Sequence, residues 1–293
     1  LDMVGAWVIM GDEREKTASK ENLMRFNSVE LVYFSPTGGT RRIVEWIGRA
    51  LQKATPDGKP AVAHDLLSRP PAQDLVLSPD SLLVAGMPVY AGRIPPHCLP
   101  LLRRFKGRHS PALAVAVYGN RDYDDALLEL RNALGGSGFV VTGAAAFVSR
   151  HSVFPRVAAD RPDADDERVA EEFARRCAAR LADMGALSRD LNVTVKGNTP
   201  YKELKPGGPR PDVDHTECIQ CGACVDICPV NALSVSGPTD AAVVRDMNLC
   251  MGCAACIQVC PTGAQAWRGP QYEAMSAVFA EKCAARREPE LFV

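Results

Sequence analysis

The sequence has almost no net charge: 34 lysines and arginines stand against 35 acidic residues, leaving −1 over 293 residues. That balance gives no support for nucleic-acid binding. No apolar run approaches the roughly 20 residues that a membrane-crossing helix needs, so no membrane span is expected. The apolar stretch Val4–Met10 is short, lacks a basic start and a small-residue cleavage site, and runs into the acidic Asp12–Glu15. It does not read as a secretory signal. Two nucleotide signatures are also missing. There is no G-x-x-x-x-G-K-[ST], which excludes a nucleoside-triphosphate P-loop, and no G-x-G-x-x-G, so direct hydride input from a nicotinamide is not expected.

What remains is an ordinary globular composition, 46% apolar and 24% charged, at a length that suggests two domains. The exception is cysteine, with eleven residues. Eight fall in two matching runs, Cys218-x2-Cys221-x2-Cys224-x3-Cys228-Pro229 and Cys250-x2-Cys253-x2-Cys256-x3-Cys260-Pro261. C-x2-C-x2-C-x3-C-P is the run that holds a [4Fe-4S] cluster in bacterial two-cluster ferredoxins, where the fourth cysteine ligates the other cluster. By that pattern Cys218, Cys221, Cys224 and Cys260 hold one cluster, and Cys250, Cys253, Cys256 and Cys228 the other. The runs repeat at a constant offset of 32 residues, a sign of an internal pseudo-two-fold. Thiolates kept for metal rather than disulfides point to a reducing, cytoplasmic compartment.

Along the chain, residues 1–26 show no turn or cap signal and are expected to be a disordered or weakly packed leader, with Met24 an alternative start. From Val29 strands and helices alternate. Strands are read at Val29–Ser35, Ala61–Leu67, Ser81–Tyr90, Pro111–Gly119 and Phe139–Ser149. Helices are read at Thr40–Lys53, Leu99–Phe105, Asp124–Leu134 and Asp165–Met184. This alternation implies an α/β fold with a parallel sheet covered on both faces, as a domain over 27–187. Residues 188–212 have the Pro/Gly composition of a linker. The Cys module occupies 213–269 and is too short to fold on its apolar residues, so its clusters must act as its core. Residues 270–293 read as a C-terminal helix, Gln271–Arg287, and tail.

The first strand–helix junction reads Phe34-Ser35-Pro36-Thr37-Gly38-Gly39-Thr40. Glycines admit a phosphate close to the backbone, and free N–H groups at the helix start attract it; a plain helix cap would leave the same letters. Two further Gly-containing loops follow the third and fourth strands: Gly86-Met87-Pro88-Val89-Tyr90-Ala91-Gly92-Arg93-Ile94-Pro95 and Tyr118-Gly119-Asn120-Arg121-Asp122-Tyr123-Asp124-Asp125. In a doubly wound sheet of order 2-1-3-4-5 these loops converge at the switch point.

With these three loops, Arg150-His151-Ser152, Arg161-Pro162-Asp163, Gly197-Asn198-Thr199-Pro200-Tyr201 and both Cys runs, the chain resembles the flavodoxin-like/two-[4Fe-4S] ferredoxin fusion proteins over about residues 28–270. The resemblance implies a flavodoxin-like five-stranded domain carrying FMN, a small α+β ferredoxin domain, and electrons passing between them. Carried over by position, Ser35, Pro36, Thr37, Gly38, Gly39 and Thr40 hold the FMN phosphate. Pro88, Val89, Tyr90, Ala91, Gly92 and Arg93 line one side of the isoalloxazine, and Gly119, Asn120, Arg121 and Tyr123 the other. Tyr90 is the stacking candidate; the Trp that many flavodoxins place in the later loop has no counterpart here.

Arg93 and Arg121 either stabilise an anionic reduced flavin or face solvent, the phosphate or the neighbouring aspartates. His151 and Tyr123 are weak candidates for a proton donor, with a structural hydrogen bond the plainer role for His151. His215 reads as exposed or as a neighbour of the cluster ligands. Cys98, Cys177 and Cys283 lack cluster spacing and read as packed thiols; Trp46 reads as helix packing and Trp267 as packing on the ferredoxin core. Lys202 and Lys205 read as a solvated linker.

The function these expectations combine into is intramolecular electron transfer between two clusters and FMN. One alternative is an FMN-dependent reductase of a quinone or nitro compound fed by its own ferredoxin domain, and a second is a redox sensor with mainly structural clusters. The expected partners are redox proteins of ferredoxin, flavodoxin or reductase type, or a small electron acceptor.

Overall fold

In a computed structural model the chain is described for residues 26–184, 187, 189–205, 207–237 and 242–293. The expected leader, apart from Phe26, lies outside the described residues. The first half contains β1 (Ser28–Tyr33), α1 (Gly39–Gln52), β2 (Val62–Asp65), β3 (Leu75–Val76), β4 (Ser81–Pro88), α2 (Cys98–Leu102), β5 (Phe105–Lys106), β6 (Pro111–Tyr118), α3 (Ala126–Gly136), β7 (Val140–Val148) and α4 (Ala164–Asp183). The second contains β8 (Asp212–Val213), α5 (Ala223–Asp226), β9 (Leu233–Ser236), β10 (Ala242–Arg245), α6 (Ala255–Val259), β11 (Gln265–Ala266), α7 (Pro270–Lys282) and β12 (Glu290–Phe292).

The main sheet runs β2-β1-β4-β6-β7, all parallel, with β12 added antiparallel to β7. The five parallel strands take the flavodoxin-like order 2-1-3-4-5. The sixth strand falls where the sequence reads as tail. Every residue of β4, β6 and β7 is buried, as continuous apolar strands covered on both faces must be.

Two cores flank the sheet. On one face α1 lays Ile43, Val44, Ile47 and Leu51, all fully buried, against Leu31, Val115 and the Phe173 and Cys177 face of α4. Each such side chain contributes roughly 1.5–3 kcal/mol by leaving water. On the other face α2 and α3 bury Leu102, Leu127, Leu130 and Leu134 over Leu83, Met87 and Ala114. Cys98 is a packed thiol on this face and Cys177 on the first, and burial pushes Cys177 up to about 12. Helix α3 runs past its expected end at Leu134 through Gly135 and Gly136 and is capped by Ser137.

The Cys module is two short antiparallel ribbons, β9–β10 and β8–β11, with α5 and α6 each carrying the third cysteine of its triplet, Cys224 and Cys256. Its own apolar core is little more than Cys224, Leu233, Val243 and Cys256. Helix α7 lies against the segment after β7, where Phe154, Val157 and Cys283 make a small separate core with Tyr272 and Phe279. Among the described residues no helix is long and apolar enough to cross a membrane.

The start of α4 is held by a buried ion pair. Arg161, 5% exposed, grips Asp166 through both Nε and Nη2, and its Nη1 donates to the Arg287 carbonyl at 3.0 Å. Asp166 also closes a capping box with Asp163. Removing one partner leaves the other charge buried and unpaired. Asp166→Ala should therefore lower stability by about 3–5 kcal/mol in denaturant unfolding, and Arg161→Met with Asp166→Leu should cost less than that single change.

Candidate functional site

The loops at the carboxyl ends of β1, β4, β6 and β7 converge as a doubly wound sheet requires. Gly38, at φ 85, is the N-cap of α1 and brings no capping side chain. The Ser35 hydroxyl accepts from the Arg41 N–H at 2.9 Å. The N–H groups of Gly39 and Thr40 begin the helix with no carbonyl a turn earlier to receive them. No acid occupies the first turn, which carries Arg41 and Arg42 instead. Two cations at a helix start oppose the helix dipole, an arrangement suited to an incoming anion. Gly39 packs on Ser149 so closely that a Cβ would lie 2.0 Å from its hydroxyl oxygen.

A cavity of about 520 Å³ opens beside this turn, lined by Thr37, Gly38, Gly39 and Arg42 and by the segment after β7 from Ser149 to Pro162. Its far wall belongs to the Cys module: Ala254, Ile257, Gln258 and Trp267. A smaller recess of about 50 Å³ continues past Ser35, Pro36 and Thr40 to Pro88, Val89, Tyr90, Tyr118, Gly119 and His151. The size suits a cofactor, and the donor set of free N–H groups, hydroxyls and arginines suits a phosphate. Asp160 is the acid in the cavity lining. Of the wall after β7 only His151 was among the residues assigned from sequence, and the wall from the Cys module was not assigned at all. The first carried a signal, since Arg150-His151-Ser152 follows a strand at the sheet's ligand-bearing edge. The second depends on how the halves dock.

Other assigned residues are engaged elsewhere. Ala91 and Gly92, both at positive φ, turn the chain so that Tyr90 and Arg93 exchange backbone hydrogen bonds of 2.9 and 3.1 Å. This aims Arg93 away from the recess. Its guanidinium grips Glu129 at 2.8 and 2.6 Å, donates to the Lys202 carbonyl at 2.6 Å and lies over the Tyr201 ring at 4.7 Å. Arg121 pairs with Asp124. Asn120 is spent on the C-terminal tail: its Nδ2 donates to the carbonyls of Cys283 and Ala285 at 2.8 and 2.9 Å, and its Oδ1 accepts from the Arg287 N–H at 3.1 Å. The Tyr123 hydroxyl donates to Glu290 at 3.0 Å, and burial, with this bond, raises its pKa. Tyr90 lines the recess, and burial holds its phenol well above the usual range, with the nearby Cys253 and Cys98 thiols adding to it.

His151 packs edge-on against Phe279 at 4.9 Å and beside Phe154 at 5.2 Å. Its Nδ1 accepts the N–H groups of Val153 and Phe154, both at 3.1 Å, which assigns the proton to Nε2. Burial, helped by the Arg121 charge, pushes its pKa down to about 4. It is a neutral imidazole across the ordinary pH range.

The cysteines gather in two groups. Cys218, Cys221, Cys224 and Cys260 line one small cavity with Gln265, and Cys228, Cys250, Cys253 and Cys256 line another with Arg245. Each group takes three residues from one run and the fourth from the other. Among the described residues no three His, Cys, Asp or Glu side chains converge as a single ion requires; the thiols surround cavities, as ligands of a multi-iron cube do. The first group opens to solvent at Cys221, while Cys250, Cys253 and Cys256 are buried.

Trp267 does not pack on the ferredoxin core. It stacks on Tyr272 at 5.9 Å and donates to the Ser152 carbonyl at 3.1 Å, reaching the first half of the chain. The 188–212 stretch is likewise not a free linker. Buried Asp125 accepts the N–H of Asn198 at 2.7 Å and of Lys202 at 2.6 Å, and the Lys202 ammonium pairs with Asp124.

Residues 217–264 match the family described as 4Fe-4S dicluster domain. Among solved structures, the first half is similar to a flavodoxin from the domain Archaea, at 12% identity over 53% of this chain and 98% of that one, with a TM-score of 0.38. Megasphaera elsdenii flavodoxin in its two-electron reduced form follows at 17% over 52% and 98%, TM-score 0.34, and an azoreductase from Bacillus anthracis at 11% over 52% and 99%, TM-score 0.35. No curated protein matches the sequence. The chain thus joins a sheet of flavodoxin-like strand order to a 4Fe-4S dicluster match, a combination of the redox class.

The His151 shift has a consequence for stability. A histidine whose folded pKa lies below its unfolded value near 6.5 adds stability above that value and loses it as pH falls toward the folded pKa. Between pH 7 and pH 5 the wild type should lose about 2 kcal/mol from this residue. In His151→Asn, whose Oδ1 can accept the same two N–H groups, urea unfolding should show a slope with pH shallower by that amount.

Proposed function

We propose that the chain carries electrons between two [4Fe-4S] clusters and one FMN held in the same molecule. One observation supports this above the others: Ala254 lines both the 520 Å³ cavity and the second thiol cavity. The flavin site and one cluster site then share a wall one residue thick. With the groups bound, the clusters would pass single electrons and the flavin would store two.

The residues present fit these groups. Gly38, Gly39, Thr40 and Thr37 offer backbone and hydroxyl donors to the phosphate, with Arg42 lining the same space. Val89, Tyr90 and Gly119 form the walls of the recess beyond it. The buried thiol group adjoins this cavity. The exposed group, with Cys221 and the 63%-exposed Ile219 at its edge, gives an outside one-electron carrier its access. Holding both sites in one chain replaces a diffusional encounter by a fixed short path.

The reductase alternative needs a proton donor beside the flavin, and both sequence candidates are poorly suited. His151 is neutral with its Nδ1 doubly occupied, and the Tyr123 hydroxyl is committed to Glu290. The reading in which the clusters are only structural gives no reason for the second thiol group to sit against the cavity.

Gly38 supplies the test. Gly38→Glu puts a carboxylate beside the phosphate, and like charges so placed cost several kcal/mol, so FMN affinity should fall roughly 100-fold or more. Gly38→Asn tolerates the left-handed backbone and should bind within about tenfold of wild type. Both should keep about eight irons per chain after anaerobic purification. Unchanged FMN content in Gly38→Glu would place the flavin elsewhere and defeat the proposal.

A further inference from the structure

The two halves of the Cys module repeat, but two polar residues, the half-buried Arg245 and the buried Gln265, break the repeat. At the 32-residue offset, Arg245 corresponds to Val213 and Gln265 to Leu233. The four positions face each other in the ribbons, Arg245 opposite Leu233 and Gln265 opposite Val213. Valine and leucine at two of them show that the fold accepts apolar side chains there. Arginine and glutamine at the other two therefore do something the fold does not require.

Their contacts show what. Arg245 Nη1 donates to the Cys250 Sγ at 3.4 Å, and Nη2 reaches the Cys256 Sγ at 3.6 Å and donates to the Gln265 Oε1 at 2.6 Å. The Gln265 side chain in turn hydrogen-bonds the Cys224 thiol of the first group. The second thiol cavity thus has a guanidinium in its lining, and the first has no charged side chain in its lining. Arg210 is spent on the carbonyls of Gly207, Gly208 and Pro209, and Arg268 on Asp214 and the carbonyls of Gly263 and Ala264.

Adding an electron to a cluster adds negative charge. Burial disfavours that charge, so the enclosed second group alone would be the harder to reduce and the exposed first group the easier. A fixed cation within hydrogen-bonding distance of two ligating sulfurs works the other way. It acts in a low-dielectric setting where little water screens it.

We infer that Arg245, oriented by Gln265, makes the two clusters inequivalent by raising the midpoint potential of the buried cluster above that of the exposed one. This rests on both clusters binding as proposed above. Electrons entering at the exposed group then settle on the cluster that adjoins the flavin cavity. Arg245 is a positioning residue in this account: it touches the ligands and sets an order of potentials.

The test is an anaerobic redox titration of the full chain followed by electron paramagnetic resonance, with iron content measured on each sample. The wild type should show two separate midpoints. In Arg245→Met the higher one should fall while the lower one stays in place. Arg245→Lys, which keeps the cation, should restore part of the shift, as a merely structural role would not. Arg245→Gln should bring the two midpoints together, and it reads the same effect if Arg245→Met fails to keep its iron. Coincident midpoints in the wild type, or a higher midpoint unmoved in an iron-loaded neutral variant, would overturn the inference. Iron well short of eight per chain in the wild type would instead defeat the reading beneath it, and the two failures are told apart by that number.

Discussion

The arrangement of the two halves depends on one buried carboxylate. Asp125, 2% exposed at the N-cap of α3, takes the backbone N–H groups of Asn198 and Lys202 and the Asn198 side chain. Burial works against its charge, but these hydrogen bonds hold its pKa below the usual carboxylate range. It fixes the start of the connecting segment to the loop after β6, at the end of the sheet where the cavity lies. From that anchor the chain returns as the Cys module, with Met251 packed against the main core and Ala254 on the cavity wall. A segment with linker composition becomes a strut because its backbone is bonded at both Asn198 and Lys202.

A second tie closes the structure from the other end. After α7, the tail is held by Asn120, Arg161 and Tyr123, the last bonding the tail's own Glu290, and finishes as a strand on β7. The loop after β6 is therefore clamped from both sides, by the connecting segment at Asp125 and by the tail at Asn120. Its polar residues, which look available for a ligand in sequence, are largely consumed in holding the molecule together. Trp267, Tyr272, Phe154 and Phe279 continue the tie as a run of packed rings ending at His151.

What was legible in the sequence was local. The cysteine spacing, the β-α alternation and the glycines at the start of α1 each carry their reason within a few residues, so a parallel sheet and the two thiol groups could be read from them, while the strand order 2-1-3-4-5 came with the flavodoxin-like resemblance. What was not legible depends on partners far along the chain. Arg93 turns from the recess because Glu129 lies 36 residues later, and Asn120 is taken by a carbonyl 163 residues later. The three residues of β12 follow a proline and carry too short a pattern to announce a strand. The Cys module's share of the cavity wall depends on docking, which no spacing encodes. No motif marks Arg245; its sulfur contacts are to Cys250 and Cys256, 5 and 11 residues later, and only the fold brings them to it.

In the proposed function electrons cross between the cysteine-held clusters and the flavin inside one molecule. Rapid mixing of the oxidised, fully loaded chain with a reduced viologen, repeated over a tenfold range of protein concentration, tests it most directly. Cluster absorbance should fall first, and the following loss of flavin absorbance should have a rate constant independent of protein concentration. A flavin phase whose rate rises in proportion to protein concentration would mean that the electrons travel between molecules, and would contradict it.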